Sequence, residues 1–339
     1  IGIAELIRSG TTTIMDMGSM NHEEEVIRTV TESGIRAFLG KAMMDVNELY
    51  PPLKESTKDS LSSTLKYAEH AHGSAHGRVR YAVAPRFILS CTDKLMKEAY
   101  EMTKQFPGML FHTHAAENRH EMDAVRKRCN MDNVEYFEEL NILHHNTCLA
   151  HCIWLNDHEM DLMKERDAKV LHCPSSNLKL GSGIAKIPAM QAKGITVSLG
   201  ADGAPCNNNL DMFDEMRLAA LIQKPLHGPT AMNAEAVFAM ATLGGAATLG
   251  IASEVGSLET GKKADIVLLD INRIWNPSSP KSDDEMYSAI VYSCSPENVH
   301  SVMVDGRWVF RNGEHVGIDE EAIVRNAKEE LRLLLQRVQ

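Results

Sequence analysis

The chain of 339 residues predicts an α/β fold: a (β/α)8 TIM-type barrel one strand short of closure, joined to a small β unit. Three observations carry that prediction. A helical stretch, a glycine and a β-branched strand recur as one phrase: Ser9-Gly10 into Thr11, Ser33-Gly34 into Ile35, and Lys193-Gly194 into Ile195. Glycine just past a helix adopts the left-handed conformation without a Cβ penalty, and alternating helices and strands build parallel sheets. Several short apolar runs then end on a histidine or an acid, as expected of a barrel that delivers functional groups at the carboxyl ends of its strands. Length agrees, since such a barrel takes about 250 residues and leaves room for an appendage but not for a second full domain.

In chain order, residues 1–9 read as a helix ended by Gly10. Seven strands are expected at 11–16, 35–40, 79–84, 109–114, 147–151, 169–172 and 195–200. In the last of these, alternation puts Ser198, Gly200 and Asp202 on one face, and small residues there suit the crowded interior of a closed barrel. In the strand at 147–151, Cys148 and the following Cys152 are expected to point outward and His151 inward. Beyond residue 250 the texture changes, with a strand at 265–270 and a hairpin at 299–310 around the favoured turn dipeptide Asp305-Gly306. Ile323, Ala327, Leu331 and Leu334 recur at helical spacing within 319–339, which reads as an amphipathic helix packed on the surface, with Leu333 to Leu335 as core contact. The expected division is a barrel over 1–250, a β unit over 251–315 and a terminal helix over 316–339.

Composition excludes several classes. Hydrophobic residues make up 44%, enough for a large core, and no apolar run reaches the roughly 20 residues of a membrane span. A net charge of −11 argues against nonspecific nucleic-acid binding while permitting a nucleoside-sized ligand. Seven cysteines without C-x-x-C spacing suggest reduced thiols and a cytoplasmic setting rather than a disulfide frame.

The chemistry gathers at strand ends. The strand at 109–114 runs into His114-Ala115-Ala116-Glu117, the next into His151, the next into His172, and the last onto Asp202. Imidazole nitrogen and carboxylate oxygen suit zinc or another divalent first-row metal, and ligands drawn from separate strands leave a coordination position open for water. Each residue also has a plainer reading. Asp202 could begin an Asx turn into Gly203 or cap the helix after Asn207 to Asn209, and any one histidine could be a satisfied core residue.

The segments FHTHAAEN at 111–118, LAHCIWL at 149–155, LHCPSSNLKLGSG at 171–183, SLGADGAPCNNNLDMFDEMR at 198–217 and GSLETGKKADIVLLD at 256–270 together resemble the amidohydrolase superfamily. The similarity is to the branch of guanine deaminases, methylthioadenosine/S-adenosylhomocysteine deaminases and triazine chlorohydrolases. The resemblance implies that the seven strands are barrel strands 2 to 8 and that 251–315 is part of a β-sandwich. The family's first strand carries an H-x-H pair of metal ligands, and no such strand precedes Thr11, so a stretch ahead of Ile1 is expected to be missing. His112 and His114 lie on the strand matching the family's fifth, where His114 is the implied ligand and His112 a packing residue one layer deeper. His70, His72 and His76, on or just after a polar helix, are expected to be solvated.

The same resemblance implies roles. His114 and Asp202 would hold a single divalent ion, zinc or iron, since the fourth strand, Arg80 to Ala84, offers no bridging lysine or glutamate. Asp202 would also act as general base, Glu117 would protonate the substrate ring, and His151 would hydrogen-bond the nucleophile and the addition intermediate. Ala84-Pro85-Arg86-Phe87 is similar to a guanine deaminase segment in which Arg and Phe contact the base. Arg86 and Phe87 are therefore candidate substrate contacts, with a surface cap or salt bridge as the plainer reading of Arg86. The implied activity is hydrolytic deamination of an amino-substituted N-heteroaromatic ring: a purine, pterin or triazine. Displacement of chloride in the same site and a catalytically inactive scaffold are the alternatives. The implied partner is a small heterocyclic substrate, with no nucleic acid and no membrane, and a homo-oligomer is compatible with this reading.

Overall fold

The computed structural model describes residues 1–48, 50–272, 274 and 280–338. Helix Gly2–Arg8 leads into strands β1 (Thr13–Met15), β2 (Arg36–Leu39), β3 (Ala42–Met43), β4 (Val79–Pro85), β5 (Leu110–Ala115), β6 (Thr147–His151), β7 (Lys169–His172) and β8 (Val197–Leu199). Every pairing in this sheet is parallel, in the order β1-β2-β4-β5-β6-β7-β8, with the two-residue β3 pairing β4 from off the path. The seven expected strands are all present. β1 and β8 are edges, so the sheet is a barrel wall open where an eighth strand would close it. β3 was too short to show a sequence pattern.

The connecting helices carry the local signals that start and stop them. Thr92, Asn118, Asn156 and Asp211 accept hydrogen bonds from backbone N–H groups in the first turns of helices Asp93–Thr103, Arg119–Cys129, Asp157–Glu165 and Met212–His227. The last of these is therefore capped by Asp211, not by Asp202. Gly10, Gly34 and Gly194 all sit at positive φ where helices give way to strands. Phe111, Leu149, Val170 and Val197 pack outward against helix residues such as Leu95, Met122, Phe137 and Met163. Inside the wall, Phe38, Ala82, Leu110 and Cys148 form a second cluster with Ala246, Leu249, Ile251 and Val255 from the segment after β8. Leu110 lies on the same face of β5 as His112 and His114, so the apolar cluster is a floor beneath the histidines.

A second sheet, antiparallel and ordered β12-β11-β10-β9, is built from β9 (Ile266–Leu269), β10 (Val299–Val304), β11 (Arg307–Arg311) and β12 (Glu314–His315). Asp305 and Gly306 both take positive φ, the two-residue hairpin turn that the dipeptide predicts. Val299, Val302, Val304, Val309 and Phe310 join the outer cluster of the barrel. The buried Arg36 guanidinium of β2 binds both carboxylate oxygens of Asp265 at 2.8 Å, fastening the two sheets together.

Three expectations are corrected. Cys148 points into the barrel rather than outward, because it shares the face of β6 that meets Leu110 and Phe38; Cys152 does face the outer cluster. His72 is not a solvated residue: its Nε2 meets the Pro107 carbonyl at 3.0 Å, and its Nδ1 accepts from the Tyr81 amide at 3.1 Å. With His70 it forms a second H-x-H spacing, at the end of helix Thr57–Ala71 and beside the amino end of β4, not at the carboxyl end of a strand. The terminal helix Glu320–Val338 is held near its start by Arg8, whose guanidinium binds Glu320 at 2.9 Å, and Leu331, Leu334 and Leu335 are more than half exposed instead of forming core contact. The expected range for this helix ended at Gln339, which lies outside the described residues. All seven cysteines are unpaired, and no helix among the described residues is long and apolar enough to cross a membrane.

Glu23 yields a stability prediction. It is fully buried in the first turn of helix Glu23–Ser33, and neither carboxylate oxygen has a hydrogen-bond partner among the described residues. Burial, and after it the charge of Asp16, pushes its carboxyl up to about 8, with Lys41 only partly offsetting them. A carboxyl that holds its proton more tightly when folded costs stability as pH rises from its unfolded pKa, and the loss levels off above the folded value. Glu23→Gln abolishes that loss. Its melting temperature is expected to exceed wild type by a margin that widens from pH 5 to 8; parallel melting curves across that range would refute the assignment.

Candidate active site

His114 ends the inward face of β5. Its backbone N–H and its Nδ1 both meet the Arg86 carbonyl, at 3.0 and 2.7 Å, so Nδ1 carries the proton and Nε2 presents its lone pair. Burial, and then the neighbouring His151, holds its pKa down at about 4, which keeps the ring neutral and able to act as a ligand. His112 lies one layer below, 6.3 Å away between ring centroids, with Nδ1 unpartnered among the described residues and its pKa lowered by burial to about 3.

His151 reaches the site by an unexpected backbone route. By alternation it belongs with Leu149, on the outward face of β6. The Cys152 amide donates to the Ala150 carbonyl at 3.1 Å, closing a three-residue γ-turn with His151 at its centre and φ at 72°. Cys152 is also left-handed, and its amide continues the ladder to Ala115 at 3.0 Å. The turn rotates the imidazole to 5.3 Å from the His114 ring, nearly parallel to it. A non-glycine residue in this conformation stores strain of about 1–3 kcal/mol, and such strain is found where function holds it. Nδ1 lies 2.8 Å from Oδ1 of Asn177, and Nε2 lies 3.9 Å from Glu117.

Glu117 follows Ala116, which takes a left-handed φ of 50°. The buried Glu121 carboxylate accepts from the Ala116 and Glu117 amides, at 3.2 and 2.8 Å, and fixes this turn. Beyond β8, Asp202 is also left-handed, with φ at 59°. One of its carboxylate oxygens accepts from the Gly203 amide at 2.6 Å and the other from Ser176 Oγ at 2.5 Å. The Asx-like contact to Gly203 is thus real, and it leaves lone pairs on both oxygens. Ser176, which donates to Asp202, adjoins Asn177, which meets His151, and so ties Asp202 to the same side of the wall.

Arg86 and Phe87 leave the carboxyl end of β4 beside His114. The Arg86 side chain is exposed and lies over the Phe87 ring, 5.6 Å from guanidinium carbon to centroid, with no ion pair among the described residues. His172 is buried with neither ring nitrogen partnered among the described residues, and burial lowers its pKa to about 3.

The amidohydrolase family profile matches residues 1–309. This chain belongs to the amidohydrolase family. This amidohydrolase is 39% identical over 334 residues to a 5'-deoxyadenosine deaminase of Methanothermobacter thermautotrophicus, a match covering 97% of this chain and 74% of the relative. A zinc-bound adenosine deaminase from Xanthomonas campestris superposes with a TM-score of 0.89 at 27% identity, covering 97% of this chain and 72% of the other. Guanine deaminase from E. coli superposes with a TM-score of 0.84 at 26% identity, covering 91% and 72%.

The structure brings His114, Glu117, His151 and Asp202 of the amidohydrolase together beyond β5, β6 and β8, with Arg86 and Phe87 beside His114. No sequence signal assigned a site role to Ser176, Asn177, Ser182 or Glu121, the residues that hold Asp202, His151 and Glu117. Asn118-Arg119-His120-Glu121 has the spacing of a capping box, so Glu121 was legible as a helix-start residue. Its carboxylate turns instead to the amides ahead of the helix, which spacing alone does not reveal.

Proposed function

We propose that this amidohydrolase catalyses the hydrolytic deamination of an amino-substituted purine or related N-heteroaromatic ring, with one divalent metal ion, zinc by preference, as cofactor. The observation that carries this reading is the grouping of two neutral-ligand or carboxylate donors, His114 and Asp202, with a carboxyl group, Glu117, and a stacked imidazole, His151, beyond the carboxyl ends of strands β5, β6 and β8.

The donors fit a metal in kind. His114 offers Nε2 because Arg86 occupies its Nδ1 side, and Asp202 retains lone pairs beside its two hydrogen bonds. Among the described residues no group of three or more His, Cys, Asp or Glu side chains is near enough to hold an ion. His114 and Asp202 would be the share of a ligand set that these residues supply. β4 contributes no bridging side chain, since Arg80 is paired with Glu254 at 2.5 Å, which supports one ion rather than two. A bound divalent ion would lower the pKa of water from 15.7 towards about 7.

The remaining chemistry belongs to side chains of this chain. Asp202 accepts a proton from the attacking water. Glu117 delivers a proton to a ring nitrogen, which makes the adjacent carbon electrophilic. Water oxygen adds to that carbon, Asp202 passes the proton it took to the amino nitrogen, the C–N bond breaks as ammonia leaves, and the hydroxyl proton goes to Glu117 as the carbonyl forms. Arg86, exposed beside His114, can donate to a ring carbonyl or nitrogen, and Phe87 next to it can cover the ring face. The deaminases among the similar proteins support release of ammonia.

A panel of 5'-deoxyadenosine, adenosine, guanine, an aminopterin ring and a chlorotriazine, assayed for ammonia and for chloride with the zinc-loaded enzyme, tests this. Ammonia from at least one purine is expected. Chloride alone would move the assignment to dechlorination, and release of neither from any compound would reject the hydrolase reading.

A further inference from the structure

Residues 176–183 touch all three groups assigned to proton handling. Ser176 Oγ donates to Asp202 at 2.5 Å, Asn177 Oδ1 lies 2.8 Å from His151 Nδ1, and Ser182 Oγ donates to Glu117 at 3.3 Å. The segment is itself pinned. The Ser182 amide donates to the Asn177 carbonyl at 2.8 Å, and the Trp154 indole N–H donates to the Ser182 carbonyl at 2.9 Å. Gly183 lies so close to Trp154 that a Cβ would come within 2.8 Å of the indole.

We infer that Asn177 is a positioning residue that fixes the ring tautomer of His151. This rests on the deaminase reading above and adds a role to it. An amide oxygen can only accept, so the Nδ1 facing Asn177 Oδ1 carries the proton, and the lone pair is left on Nε2. Nε2 is the atom directed toward Glu117. His151 therefore meets the reactants as a hydrogen-bond acceptor, able to orient water by taking a hydrogen bond from it.

The energetics single out Asn177 as held for this bond. Its side chain is almost fully buried, yet Nδ2 has no hydrogen-bond partner among the described residues. A buried amide with an unmatched donor costs stability, and an apolar residue of similar shape would remove that cost. Asn177 serves His151 at the expense of its own satisfaction.

The test uses the intact enzyme labelled with 15N-histidine, its His151 signals assigned by their loss in His151→Gln. Wild type is expected to show a protonated, pyrrole-type Nδ1 and a pyridine-type Nε2. In Asn177→Leu that pattern should reverse or average, with kcat falling about 10–100-fold and KM changing less than about 2-fold. Melting should stay within about 4 °C of wild type, which separates loss of position from loss of fold. Asn177→Asp, which keeps an acceptor at the same place, should restore both the nitrogen pattern and most of kcat.

A protonated Nε2 in wild type would overturn the inference, as would an Asn177→Leu protein with unaltered nitrogen signals or unaltered kcat. If wild type deaminates nothing in the panel, the functional reading fails on its own, and the nitrogen signals still decide the tautomer.

Discussion

Asp202→Asn is expected to reduce turnover by about 10²–10⁴-fold, the contribution of a positioned general base. The amide cannot take a proton, yet its oxygen can still accept from Gly203 or Ser176. Asparagine also tolerates the left-handed backbone that this position requires, so the fold has no reason to change. Steady-state kinetics on the purine that releases ammonia, beside a thermal melt, check both halves. Near-normal turnover would remove Asp202 from its role as base, and a large drop in melting temperature would make it a structural residue.

Arg36→Met carries the second large effect, on stability. Arg36 and Asp265 are both 3% exposed, and the substitution leaves the aspartate buried with only the Asp305 amide, 2.8 Å away, to satisfy it. Breaking one side of a buried ion pair costs about 3–5 kcal/mol, most of it from the charge left behind. Urea denaturation should show that loss in the single variant. Adding Asp265→Leu should return much of it, because both charges are then gone. A double variant no more stable than the single one would show that the pair contributes net attraction, and a single variant within about 0.5 kcal/mol of wild type would show that the sheets are held by apolar contact alone.

Much of the framework was legible because the residues that end helices and start strands are chemically distinctive. Gly10, Gly34 and Gly194 occupy the left-handed positions their context predicts, and Asp305-Gly306 turns the hairpin. His114 and Asp202 were legible for a related reason, since a polar side chain at the close of an apolar strand has few purely structural uses. Other features depend on tertiary contact and leave no periodic trace. Alternation back from an inward His151 puts Cys148 outward, and the backbone reversal at His151 breaks that alternation. The leucines of helix Glu320–Val338 have the spacing of a packed face but stand exposed, because periodicity specifies an apolar stripe without specifying what covers it. Nothing in the spacing around Glu121 or Asn177 names their partners, and only the folded chain shows which amides and rings they serve.

The γ-turn at His151 separates two demands that a regular strand would set against each other. Leu149 can stay seated among the helices and keep the wall sealed, while two positions later the imidazole swings to the opposite side where His151 and then Cys152 take positive φ. Strand register then serves as an address for packing alone, and reactivity is written afterwards, at the last residue, by a local change of handedness.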